Sequence, residues 1–133
     1  MQPKIDSGNK TPAYVSGKIF AMLESVQIAA LGKDLNAPIR DRFFSSASTT
    51  PALAFGRLLK MSQNHFAKLR SEKPGLAVDL DKQLIELFID IATFPAMFTL
   101  EEQGQFAIGY YHQRQKIFAG SNVQSKKEGE GHG

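Results

Sequence analysis

Apolar residues recur at steps of three and four along most of this chain, the spacing that keeps side chains on one face of an α-helix. Val15, Ile19, Met22, Leu23 and Val26 make the first such stripe. Thr11-Pro12 precedes it as N-cap and first-turn proline, and Leu31-Gly32 follows it as a stop. A helix is therefore predicted to about residue 30, in which Gly17 either weakens the helix or permits close packing. A short second helix starts at Asn36-Ala37-Pro38, with Phe43 and Phe44 as its core anchors. The hydroxyls of Ser45, Ser46, Ser48, Thr49 and Thr50 favour turns and caps, which marks a break. Thr50-Pro51 repeats the cap-and-proline start for a third helix reaching about residue 71, with Phe55, Leu59, Ser62, Phe66 and Leu69 in one stripe and Leu58 beside it. Lys73-Pro74-Gly75 reads as a turn.

A fourth helix is predicted over residues 76–93. Leu80, Leu84, Leu87, Phe88 and Ile91 face its core, Asp79, Asp81, Glu86 and Asp90 its wet side, and Phe94-Pro95 ends it. Thr99 with Glu102 forms a capping box for a fifth helix running to about residue 118. Its stripe is Phe106, Tyr110, Gln113 and Ile117, and Gly104 and Gly109 leave bare spots where another backbone can approach. No strand-like alternation and no repeat interrupts this pattern. The expected fold is all-α, a bundle of about five helices over residues 11–119, between a disordered lead-in (1–10) and a disordered polar tail (120–133).

The chain carries no cysteine, which excludes disulfides, a thiol nucleophile and thiolate metal sites and fits a reducing cytoplasm. The polar N-terminus lacks the apolar centre of a signal peptide, and no apolar run reads as a membrane span. The net charge of +3 is unevenly spread. Residues 33–73 hold eight basic and three acidic side chains; residues 74–103 hold one basic and six acidic. Such a split suits nucleic acid on one side and a basic partner on the other, or else ordinary solvated helix faces. On the third helix Arg57, Asn64 and Lys68 fall opposite the apolar stripe, with Lys60 on the flank. Basic side chains a turn apart can meet successive phosphates.

Catalytic chemistry finds no support. His65, His112 and His132 are scattered and join no metal-binding motif, so structural roles are expected for His65 and His112, none for His132 in the tail, and no metal or cofactor is called for. Glu101 and Glu102 sit in a helix first turn, where acids are favoured, and adjacent helical residues do not face each other. The Ser/Thr run has no partner base and no nucleophile elbow. Capping is its default, and a phosphate held by nearby N–H groups is the other reading. The row Gly109 to Lys116, with Tyr110, Tyr111, His112 and Arg114, is either a helix with wet tyrosine hydroxyls or a surface for a protein or nucleic-acid neighbour.

Five segments together resemble the C-terminal region of the large subunit of type I-C CRISPR Cascade. They are NAPIRDRFF from Asn36, ASTTP from Ala47, RLLKMSQNH from Arg57, FPA from Phe94 and LEEQGQFAIGYYHQR from Leu100. Gly56, Leu53 and Met97 depart from that family's more usual proline, polar residue and histidine. In the family this region is also made separately, from an internal start, as the small subunit, and this chain resembles that form. The resemblance implies a non-enzymatic helical protein whose copies line the belly of a crRNA-guided complex beside the backbone and large subunits. There it would help hold opened DNA, both the target and the displaced strand, while base pairing reads sequence.

On this reading Arg40, Arg42, Arg57, Lys60, Lys68 and Arg70 are expected at DNA, with Arg114 and Lys116 as further candidates. Asp79, Asp81, Glu86, Asp90, Tyr110, Tyr111 and His112 are expected at contacts with other Cascade subunits or further copies of the chain. The alternative is an assembly scaffold whose cations pair with acidic neighbours and never touch DNA. A hydrolase lacks its constellation.

Overall fold

Proline opens three of the five helices. Its fixed φ suits a helix first turn, and its missing N–H leaves nothing unsatisfied there. The computed structural model describes the backbone of residues 9–131 and the side chains of residues 9–119. Its order is α1 (Pro12–Leu31), a 3₁₀ turn (Gly32–Asp34), α2 (Ile39–Thr49), α3 (Pro51–Glu72), α4 (Pro74–Ile89) and α5 (Leu100–Gly131), with no strand among the described residues. This is the expected all-α bundle of about five helices. Residues 1–8 of the expected lead-in and His132 lie outside the described residues.

α1 is the axis of the molecule and packs against all four other helices, most extensively α5. With the turn after it, α1 is long and apolar enough to pass for a membrane span, at a mean hydropathy of 1.2 over its most apolar 18 residues. The apolar window is instead 67% buried inside the bundle. Phe20, fully buried, sits at its centre. Its ring meets those of Tyr110 at 5.6 Å and of Phe44 and Phe106 at 5.7 Å edge-on, with Phe55 at 6.4 Å. α1 and α5 touch backbone to backbone at Gly17 and Gly109. A Cβ on Gly17 would run into the Phe106 carbonyl and one on Gly109 into that of Tyr14. Gly104 makes no such approach, with nothing within 4 Å of its missing Cβ.

The capping box forms as expected: Glu102 Oε1 accepts from the Thr99 N–H at 2.8 Å, and Thr99 Oγ1 accepts from the Glu102 N–H at 3.2 Å. Thr11 and Thr50 occupy N-cap positions, but neither side chain caps. The Thr11 hydroxyl donates to Asn9 Oδ1 at 2.9 Å and that of Thr50 to the Ser46 carbonyl at 3.2 Å. The first amide of α2 donates to Gln27 Oε1 on α1, at 2.9 Å.

Three local expectations change. The Ser/Thr run is helical, because its hydroxyls bond back to carbonyls three or four residues earlier instead of breaking the ladder: Ser48 to Ser45 at 2.9 Å and Thr49 to Ser45 at 2.8 Å. α4 starts two residues early, at Pro74, and stops at Ile89, where the N–H groups of Asp90 and Ile91 tighten onto the carbonyls of Leu87 and Phe88. The chain then crosses irregularly to α5, tied to the α2–α3 junction by Ala52 N–H to Pro95 O (3.0 Å) and Phe98 N–H to Thr49 O (2.9 Å). Phe94 stacks flat on Phe55 at 4.2 Å. α5, expected to end near residue 118, continues to Gly131.

Candidate nucleic-acid interface

The apolar stripe of α3 is Ala54, Phe55, Leu58, Ser62, Phe66 and Leu69, all buried. Helical geometry then forces Arg57, Lys60 and Asn64 outward, and all three are exposed. Neither Arg57 nor Lys60 has an ion-pair partner among the described residues. Lys68 continues the row but is half-buried and pairs with Glu72 across one turn at 3.9 Å. From Arg57 to Lys68 the axis advances about 16 Å, at ~1.5 Å per residue.

The other expected cations separate from this row. Arg70 turns toward α4, into a groove it shares with Phe66, Asp81, Ile85 and Phe88. Arg42 is exposed, with its guanidinium over the Phe43 ring at 5.3 Å. Lys116 is exposed and lines a pocket with Lys18, Glu86 and Asp90, away from the α3 row.

Arg40 and Arg114 come together, a meeting that nothing in their sequence spacing announces. The Arg40 guanidinium lies 5.7 and 5.6 Å from the rings of Tyr110 and Tyr111 and donates to the Tyr111 hydroxyl at 2.8 Å. Arg114 donates to the Tyr110 hydroxyl at 3.2 Å and covers the Phe118 ring at 5.2 Å. The Tyr110 hydroxyl donates in turn to Glu24 Oε1 at 2.7 Å, deep in α1. Burial, then the hydrogen bond to Glu24 and its charge, push the Tyr110 pKa up to about 12, with Arg114 and Arg40 opposing. Tyr110 therefore keeps its proton and donates throughout the ordinary pH range.

Among the expected subunit-contact residues Tyr110 is a correction. It is fully buried, because the ring stripe of α5 needs it against Phe20 and Phe44, and so it offers no surface. Tyr111 is exposed; His112 is half-buried, its Nδ1 2.7 Å from the Tyr14 hydroxyl. Asp79 and Glu86 are exposed, Asp81 is exposed at the α3–α4 groove, and Asp90 pairs with Lys10 at 3.5 Å. One surface lies outside the expectations. Val78, Ile85 and Ile89 are 64%, 54% and 77% exposed, an apolar ridge beside Asp79 and Glu86 on the face expected to be wet. Its signal in the sequence is the spacing of seven and four, masked by the acids between.

Among the described residues no three His, Asp or Glu side chains gather as metal ligands do. His65 is half-buried, and burial lowers its pKa from 6.5. As pH falls, the unfolded chain takes up this proton before the folded one, so stability is full above about pH 6.5 and declines as pH drops toward the folded pKa. His65→Gln is expected to flatten that acid slope in urea midpoints measured between about pH 8 and pH 5. An unchanged slope would assign it to other groups.

A family model described as CRISPR-associated protein (Cas_Csd1) matches residues 1–118. No curated protein matches the chain.

Proposed function

Since the chain belongs to the CRISPR-associated Cas_Csd1 family and is thereby a Cascade component, we propose that it serves as the small subunit of a type I-C crRNA-guided complex in the cytoplasm. In this role it steadies opened DNA by contacts to sugar-phosphate backbone, without reading bases in sequence and without cutting. The observation that carries this reading is the outward row on α3. Arg57 and Lys60 stand free of carboxylates on a face the core does not use, and Lys68 extends it with a single exposed carboxylate partner. Freely displayed cations release counterions when phosphate replaces water, which is how non-specific binding gains its affinity. Arg42 is exposed but apart from this row, and Arg70 and Lys116 contribute less, lining other grooves together with acids. The backbone and large subunits, and further copies of the chain, are its partners. The apolar ridge of α4 with its flanking acids supports a protein contact on that side.

Reversing Arg57, Lys60 and Lys68 to Glu in the assembled complex tests this. Retention of opened DNA is expected to fall at least tenfold near ~0.1 M salt, with a shallower salt dependence, while the subunits still assemble. If assembly fails in the absence of DNA, the scaffold reading takes over; DNA held as firmly as before would remove α3 from the interface.

A further inference from the structure

Arg40 and Arg114 flank an apolar cavity of about 460 Å³ between α1, the start of α2, the start of α4 and α5. That volume lies within the ~300–1,000 Å³ of ordinary small-ligand clefts. Ile28, Leu35 and Leu80 form walls, Phe118 closes one side, and Glu24, 7% exposed, lies in the lining. No α3 residue lines it, so it is separate from the row already described.

The chemistry of this cavity is specific. Each guanidinium at the mouth lies over aromatic rings and is held by a tyrosine hydroxyl. Neither forms an ion pair among the described residues, and although exposed Asp41 shares the lining, both guanidiniums keep N–H groups for an anion. Glu24 takes one hydrogen bond from Tyr110, and a carboxylate has capacity for more. A matching ligand has an anionic group at one end, a flat apolar-faced ring and an exocyclic amino group on the far edge; a ring N–H set between two carbonyl oxygens, as in thymine, would turn those oxygens against the carboxylate. We propose that this cavity receives one unstacked nucleobase of a single strand. Its flanking phosphates would lie on Arg40 and Arg114, and its exocyclic amino group would donate to Glu24. The inference rests on the DNA-holding reading and adds a preference: cytosine and adenine, which carry that amino group, over thymine, which does not.

The test is an NMR titration of the full chain at low salt with oligo-dC, oligo-dA and oligo-dT, carried to millimolar concentration so that weak binding registers. Signals of Ile28, Leu35 and Leu80 are expected to shift, with oligo-dC and oligo-dA saturating at about fivefold to tenfold lower concentration than oligo-dT. Glu24→Gln preserves the size and the acceptor for Tyr110, and should bring that ratio close to one. Ile28→Trp, made at a half-exposed mouth position the fold can tolerate, should abolish the cavity shifts while those of Arg57 and Lys60 persist. Cavity signals that stay still while the α3 row moves would overturn the base site and leave the DNA reading standing. Neither region moving, together with unaltered DNA retention by the α3-reversed complex, would remove both. A base preference that survives Glu24→Gln overturns the assignment, as does an Ile28→Trp chain that fails only in subunit assembly; the cavity would then seat a neighbour's side chain.

Discussion

Gly17→Ala and Gly109→Ala are each expected to destabilise the fold by about 3 kcal/mol or more, the upper end of what overpacking costs. The intrinsic preference points the other way, since alanine in a helix interior is favoured over glycine by about 1 kcal/mol. The clash decides the sign. On Gly17 the new methyl would meet the Phe106 carbonyl and come within 2.8 Å of the Tyr110 backbone nitrogen; on Gly109 it would meet the backbone of Tyr14. These are main-chain atoms of the facing helix, with no rotamer to turn aside. Relief requires α1 and α5 to separate along the largest contact in the molecule. Gly104→Ala supplies the control, because that site is open and the same substitution should there be stabilising by up to about 1 kcal/mol. Urea unfolding of the three variants reads this directly. A Gly17→Ala chain as stable as Gly104→Ala would mean that the helices do not cross as described.

Phe20→Ala is expected to lose about 3–5 kcal/mol, a large part of the ~5–15 kcal/mol that a domain possesses. Phe20 is fully buried and faces rings from α2, α3 and α5, so truncation leaves a cavity bordered by three helices that cannot collapse together. The edge-on ring pairs add about 0.5–1.5 kcal/mol each beyond buried area. Phe118→Ala, at a half-exposed ring, should cost less than about 1 kcal/mol in the same assay. Equal losses at the two positions would deny that the cluster around Phe20 centres the core.

Signals carried by neighbours in sequence are legible from the order of residues alone. The proline starts at Pro12 and Pro51 and the reciprocal Thr99–Glu102 box depend on residues within a few positions of one another, whereas of the bare spots expected at Gly104 and Gly109 only Gly109 meets a facing backbone, that of Tyr14. Expectations fail where a second partner decides. Serine and threonine read as breakers, but carbonyls one turn back absorb their hydroxyls and α2 runs on to Thr49. Tyr110 reads both ways, as part of the α5 stripe by period and as surface by its polar neighbours, and Phe20 and Glu24, each some ninety residues away, decide for the stripe. The meeting of Arg40 with Tyr111, 71 residues apart, has no local signature at all. The row on α3 is visible in outline from period alone, but the loss of Arg70 to the α4 side follows from its angle around the helix.

Only Thr50 separates α2 from α3, and the crossing segment pins both sides of that joint through Thr49 and Ala52. An elbow clamped in this way has no slack. The bend between the two helices is set when the protein folds, so any neighbour that grips both limbs must arrive already shaped to it, or deform itself to fit.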